Sequence, residues 1–136
     1  MLNGECKIVF FGGGTMKYDL EERLVDFAVR IIDIVESLPR TRAGNHLAAQ
    51  LVRSGTSPAL NCGEDQNAES RNDFVHKLKI ILKELRETKI CLSIIDRKKI
   101  SRMQSVLPDT AGECGQLIAI FAKSILRVES RREKDT

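Results

Sequence analysis

Apolar residues recur at helical spacing in the first long stretch of the chain, from Leu20 to Leu38. Placed at roughly 100° per residue, they fall within about half of the circumference of a helix. We predict a helix that is capped by Asp19 and ended by Pro39, because the residue before a proline is pushed out of the α region. An arc this wide predicts burial against more than one neighbouring helix. The arc comprises Leu20, Leu24, Val25, Phe27, Ala28, Ile31, Ile32, Ile34, Val35 and Leu38.

A second helix is predicted to begin near Ala43 and to continue into an unusual run, QLVRSGTSPALNCGEDQ, at residues 50–66. This run contains two glycines and Pro58, which usually break helices. A proline removes one backbone hydrogen bond and bends a helix. We predict a kinked helix rather than a loop, with small residues that allow another helix to approach closely. The small residues share one stripe: Ala48, Gly55, Ala59 and Cys62.

The third predicted helix begins after Ser70, which is a favourable N-cap residue. Its core face comprises Phe74, Val75, Leu78, Ile81, Leu82, Leu85 and Leu92. A second set of apolar residues lies on roughly the opposite side, and a monomeric bundle has no use for it. We expect this set to contact another subunit. The predicted subunit interface comprises Ile80, Ile90, Cys91 and Ile94.

A basic connector, residues 96–108, leads to the fourth predicted helix. Thr110 and Glu113 have the spacing of a capping box at its start. Leu117, Phe121 and Ile125 are predicted to point inward, and the polar tail after Val128 is expected to fray. Four amphipathic runs joined by short connections predict an all-α fold, an antiparallel up-and-down four-helix bundle at residues 16–136.

Residues 1–15 differ from the rest, since they contain a β-type run, KIVFF, followed by three glycines. Neither dinucleotide-binding nor phosphate-loop spacing fits these glycines. We expect an N-terminal extension with little stable structure.

Composition narrows the classes of function. The chain has 136 residues and a net charge of +3, which is mild for a nucleic-acid-binding protein. No run approaches the length of a membrane span. The four cysteines form no C-x-x-C pair, so we expect reduced thiols in a cytoplasmic protein. His46 and His76 lack the Glu-x-x-His pattern of metal-binding bundles, so no metal or cofactor is expected.

No catalytic constellation stands out, and we do not expect an enzyme. A Cys–His nucleophile pair stays open for Cys62, Cys91 or Cys114, but packing thiols are favoured over it.

Basic side chains form three groups that could contact phosphates. The first recurs along one side of the third helix, the second lies in the connector, and the third lies at the end of the fourth helix. For each group alone, ordinary solvated surface is the favoured interpretation, but copies in an oligomer would add many weak phosphate contacts. The groups are Lys79, Lys83 and Arg86; Arg97, Lys98, Lys99 and Arg102; and Arg127, Arg131 and Arg132.

The middle of the chain reads QLVRS at residues 50–54 and TSP at residues 56–58, followed by Asn61, by Gly63-Glu64 and, after a polar turn, by Asp73-Phe74. This pattern resembles the four-helix bundle proteins of the 23S rRNA intervening-sequence protein family, whose usual form is Q-L-R-R-A, then S-I-x-x-N-I-A-E-G, then D/E-F. The resemblance covers roughly residues 17–130. Departures from the pattern are Val52, Cys62 and Asp65.

This resemblance implies a bacterial cytoplasmic bundle that assembles into a ring, with a pentamer as the expected number of subunits. It implies no known reaction. Arg53, Asn61 and Glu64 stand at family positions, and we favour structural hydrogen bonds to other helices or subunits over catalysis for them.

The leading hypothesis is a non-enzymatic oligomeric bundle that associates with RNA or DNA by charge. One alternative is a protein-binding scaffold without a nucleic-acid role. Another, implied by the resemblance, is a protein like the accessory variability protein of retroelements, which binds a reverse transcriptase.

Overall fold

The computed structural model describes residues 20–64 and 70–135, and four long helices account for most of them. They are α1 (Leu20–Glu36), α2 (Arg42–Glu64), α3 (Arg71–Lys98) and α4 (Leu107–Asp135), with a 3₁₀ turn at Gln104–Val106 before α4. These two described ranges contain no strand. The predicted all-α four-helix bundle is therefore confirmed. The predicted cap at Asp19 and the extension at residues 1–15 lie outside the described residues.

The helices pack in chain order, with α2 between α1 and α3, and α4 against α3 and, more sparsely, against α1. Contacts along neighbouring helices run in opposite order. The Cys91 thiol lies near the carbonyl oxygen of Leu47, and Thr88 bonds to Ser54, so residue numbers fall along α3 as they rise along α2. These contacts make the pair antiparallel. α1 and α3 consequently occupy opposite corners of the bundle.

Large apolar side chains from every helix fill the centre of the bundle. Phe27 of α1 and Phe121 of α4 are fully buried, as are leucines and isoleucines on all four helices. Each such burial contributes about 1.5–3 kcal/mol, so this core is the main source of stability. The core residues predicted on α3 are all buried: Phe74, Val75, Leu78, Ile81, Leu82, Leu85 and Leu92.

The first helix buries a narrower arc than its sequence predicts. Val25 is 42% exposed and Ile32 is 43% exposed, and Val29 beside them is 53% exposed. The prediction that Val25 and Ile32 belong to the core is wrong. Among the described helices, α1 packs against α2 and, more sparsely, against α4, and these two leave part of its apolar arc uncovered.

The second helix is continuous from Arg42 to Glu64, so the run with two glycines and Pro58 is helical, as predicted. The Thr41 hydroxyl accepts a hydrogen bond of 3.0 Å from the Gly44 N–H, which caps the start of α2. At Gly55 an added Cβ would lie 2.6 Å from Cγ2 of Ile31. The absence of a side chain therefore allows α1 to approach α2 closely, as the stripe of small residues predicts.

The ends of α3 and α4 differ in how well the sequence indicates them. The Ser70 hydroxyl accepts from the Asp73 N–H at 3.1 Å, so the predicted cap of α3 is confirmed. The predicted capping box of α4 is wrong, because the helix already begins at Leu107. Thr110 lies inside it and donates to the Val106 carbonyl at 2.9 Å. A proline is tolerated in a first helical turn, so Pro108 does not delay the helix. α4 continues past Val128 to Asp135, and the expected fraying of this tail stays a prediction.

Three of the cysteines lie in the core. Cys91 and Cys114 are buried free thiols, and burial raises the pKa of both, that of Cys114 to about 12. Such thiols are protonated at neutral pH and are weak nucleophiles. Cys62 of α2 is fully buried as well.

Within the described residues, no helix has both the length and the apolar character needed to cross a membrane.

Replacing Gly55 by alanine is predicted to destabilise the protein by about 1–3 kcal/mol, because the new methyl group overpacks the contact with Ile31. Urea unfolding followed by circular dichroism measures the change. Gly112 is the matched control, since nothing lies within 4 Å of an added Cβ there. Gly112→Ala should stabilise α4 by about 0.5–1 kcal/mol through helix propensity alone. Equal effects of the two substitutions would contradict the close approach of α1 and α2.

The raised pKa of Cys114 predicts a loss of stability at high pH. The thiol ionises near about 8.5 in the unfolded chain and only near about 12 in the folded protein. Its contribution to the free energy of unfolding is therefore constant below the unfolded pKa and falls as the pH rises toward 12, by at most about 1.4 kcal/mol per pH unit.

Cys114→Ser is the comparison variant, because a hydroxyl can keep the hydrogen bond to the Leu85 carbonyl and does not titrate in this range. Urea unfolding at pH 7.5, 9 and 10.5 should show a larger decline for the wild type than for the variant. Parallel declines would show that Cys114 is not the group responsible.

Candidate nucleic-acid interface

The two connections at one end of the bundle are locked together by buried hydroxyl groups. The Oγ atoms of Ser37 and Ser101 lie 2.6 Å apart, and both residues are buried. The Met103 N–H donates to the Ser101 hydroxyl at 2.9 Å, and the Arg102 N–H donates to the Ser37 carbonyl at 3.3 Å. Buried hydroxyls require partners, so this network holds the α1–α2 and α3–α4 connections side by side.

The joined connections carry a concentration of positive charge that we call the basic end. Segments 36–42 and 96–102 hold six cations and two acids, Glu36 and Asp96. This excess is larger than the net charge of +3 of the whole chain. All six cations are exposed: Arg40, Arg42, Arg97, Lys98, Lys99 and Arg102.

Local structure explains how these cations are presented. Lys99 ends α3 in the left-handed region, with φ of 53°, and turns the chain sharply after Lys98. The Arg102 guanidinium donates to the Glu36 carbonyl at the end of α1. A groove of about 360 Å³ separates Arg40 from Arg102 and is floored by residues of both connections, Ser37, Leu38, Pro39 and Ile100 among them.

The connector cations that were predicted to contact phosphates therefore lie on one surface. Arg40 and Arg42 lie on the same surface, but the sequence pattern did not predict this. They are about 60 residues away in the chain, and no spacing indicates that the two connections meet. The sequence feature that could have indicated their role is the presence of two arginines, at positions 40 and 42, shortly after Pro39. Arg102 also has an intramolecular role, because it satisfies a carbonyl at the end of α1.

The other two predicted groups lie elsewhere. Lys79, Lys83 and Arg86 line a groove of about 420 Å³ on α3, together with Ile90 and with Ile125 of α4. Lys79 is paired with Glu129 at 3.1 Å.

The third group belongs to the second half of α4, towards the opposite end of the bundle from the basic end. Arg127 and Arg131 are exposed there, and the side chain of Arg132 lies outside the described part of the chain. The structure does not bring the three groups into one surface.

The four residues that were predicted to contact another subunit do not all lie on one exposed face. Ile90 is 63% exposed and Ile94 is 45% exposed, whereas Ile80 is half-buried on the side toward α2. Cys91 is buried in its own bundle, with its Sγ 3.9 Å from the Leu47 carbonyl oxygen. The assignment of Cys91 to the second apolar face is therefore wrong, since the turn of α3 directs it at α2.

The family positions have contacts within one chain. Arg53 of α2 donates to Glu84 of α3 at 3.0 Å and to Glu87 of α3 at 2.8 Å. The hydrogen bonds that Arg53 donates, first to Glu87 and then to Glu84, raise the pKa of its guanidinium. Asn61 donates to the Ser57 hydroxyl at 2.9 Å on the same helix. The side chain of Glu64 lies outside the described residues.

In the part of the chain that the structure describes, no group of three or more His, Cys, Asp or Glu side chains could hold a metal ion. The basic end is instead a surface of exposed cations. Such a surface binds anions through charge and makes few demands on their shape or sequence.

Comparison with known proteins agrees with this fold. The sequence model of the 23S rRNA-intervening sequence protein family matches residues 17–119. A crystal structure from Bacteroides thetaiotaomicron, of a protein of unknown function from the S23 ribosomal protein family, is similar, with a TM-score of 0.67. It shares 31% sequence identity, over 78% of this chain and 94% of that chain. No protein with curated annotation matches. Since the family match covers most of the bundle, the chain belongs to the 23S rRNA-intervening sequence protein family.

Proposed function

We propose that this protein is a non-enzymatic, oligomeric helical bundle that associates with nucleic acid through its basic end. The observation that carries this proposal is the meeting of two connections, about 60 residues apart in the chain, in one surface of six exposed cations. Phosphate backbones are the common polyanions that such a surface fits, and no base-reading element is needed for binding by charge.

Assembly strengthens this proposal. A cyclic oligomer, for which a pentamer is the proposed size, repeats the basic end once per subunit on the same side of the ring. Several weak phosphate contacts on one strand then add to a useful affinity. The membership in an rRNA-intervening sequence protein family agrees with a nucleic-acid partner.

The cytoplasm is the proposed compartment because the proposed partner is RNA or DNA.

A second candidate function is a protein-binding scaffold without a nucleic-acid role. The exposed apolar side chains of α1 and α3 favour it, because contiguous apolar surface usually marks contacts with proteins. The two functions differ in their response to salt. Contacts with phosphates release counterions and weaken steeply as salt rises, whereas apolar contacts do not.

Neutralising one cation from each connection, Arg42→Gln with Lys98→Gln, is predicted to weaken binding of mixed-sequence RNA or DNA. Fluorescence anisotropy at a series of KCl concentrations measures the effect. We expect the slope of log K against log salt to become shallower by about 1 for each phosphate that the variant no longer neutralises. The matched control is Lys123→Gln with Arg131→Gln on α4, which removes the same charge outside the basic end and should have the smaller effect.

Absence of binding by the wild type at low salt, or an affinity independent of salt, would contradict the nucleic-acid role and favour the scaffold. An equal weakening in the control variant would show that net charge, and not the basic end, accounts for binding.

A further inference from the structure

Exposed large apolar side chains occur singly on α2 and α4, as Leu60 and Leu126, and in sets on α1 and α3, which lie at opposite corners of the bundle. On α1 these are Val25, Val29 and Ile32, and on α3 they are Ile90 and Ile94. Isolated exposed apolar residues are ordinary on protein surfaces. These residues are instead arranged at spacings of three, four and seven, so each set forms one continuous face of its helix.

The α1 face is acidic. Glu22 and Glu36 continue the same spacing at its two ends, since residues 22, 25, 29, 32 and 36 follow one another at intervals of three and four. Asp33 is exposed directly beside this line. We call this surface the acidic face. It has the composition of a coiled-coil seam, with an apolar centre and charged margins.

The α3 face is basic and has the same spacing. Lys79, Lys83 and Arg86 precede Ile90 on one side of the helix. All three cations are exposed. We call this surface the basic face of α3, which is distinct from the basic end. The groove of about 420 Å³ along it offers a seat for side chains from a partner helix.

Charge decides which faces can pair. If two copies of the basic face met, cations such as Lys83 and Arg86 would lie against the cations of the other copy, and like charges at an interface are strongly unfavourable. Two copies of the acidic face would likewise bring carboxylates against carboxylates. Pairing of the acidic face with the basic face removes both apolar sets from water and places carboxylates against cations.

We propose that the acidic face of α1 in one protomer docks on the basic face of α3 in a second copy of this chain. This inference rests on the assembly part of the proposed function and specifies its surfaces. The contact is heterologous, because each protomer uses two different faces. After one contact forms, one free face of each kind remains, so assembly continues until rotation closes a ring.

Such docking also decides between two predicted roles of the α3 cations, contact with phosphates and contact with another subunit. Lys83 and Arg86 lie in the same groove as Ile90, so an interface that covers Ile90 covers them as well. These two cations would then face carboxylates of a neighbouring subunit instead of phosphates. The basic end is formed by the connections and stays open in such a ring.

Charge reversal on each face tests the inference. The α3 variant is Lys83→Glu with Arg86→Glu, and the α1 variant is Glu22→Lys with Asp33→Lys. Each should convert the oligomer mainly to monomer at micromolar concentration, measured by multi-angle light scattering and sedimentation velocity, with helicity checked by circular dichroism. A chain with all four substitutions has both faces exchanged in sign and should regain the wild-type mass. The control is Lys123→Glu with Arg131→Glu on α4, which matches the charge change and should leave the mass unchanged.

If the four-substitution chain regains the oligomer, the two faces contact each other. Variants that acted by destabilising the fold would lose more of the oligomer when they are combined. An oligomer of unchanged mass in both single-face variants would overturn this inference alone and leave the proposed function standing. A wild-type chain that is monomeric at high concentration would overturn the inference and the assembly part of the proposed function together. RNA binding by the wild-type chain, measured by fluorescence anisotropy, tests the nucleic-acid part of the proposed function.

Discussion

Each helix of the bundle has two neighbours, and this geometric limit decides which apolar side chains are buried. Contact with two neighbours covers somewhat less than half of a helix, so an apolar arc wider than that must reach the surface. α1 has such an arc, and Val25 and Ile32 are exposed for this reason. The same limit leaves Ile90 and Ile94 outside the core of α3. The surfaces available for assembly are thus a consequence of how the core is built.

Polar contacts inside the bundle set the register of the helices that the core holds together. The buried hydroxyls of Ser54 and Thr88 lie 2.9 Å apart between α2 and α3, where a shift by one turn would leave each without its partner. Arg23 of α1 forms a bidentate pair with Glu113 of α4, at the seam where the helices pack most sparsely. Apolar contacts are non-directional, whereas these pairs have only one satisfactory arrangement.

The mild net charge of the chain conceals a strongly uneven distribution. Positive charge is concentrated at the basic end and along α3, while the exposed side of α1 is acidic. Electrostatic attraction depends on the local arrangement of charges within about 10 Å and hardly on their sum. A surface that contacts phosphates and a surface that contacts another subunit can therefore coexist on one small bundle without competing for the same cations.

The sequence by itself determined the fold class, the approximate extents of the helices, the cap at Ser70 and the small-residue contact at Gly55. These features depend on spacing within about 4 to 20 consecutive residues, and helical periodicity makes that spacing visible in the chain. The placement of Arg40 and Arg102 on one groove, the inward turn of Cys91 and the exposure of Val25 were decided only by the tertiary structure. Each depends on which helices become neighbours and where their connections lie, and no local pattern contains that information. The start of α4 belongs to the same class, since the turn before Leu107 is held in place by the contact between Ser37 and Ser101.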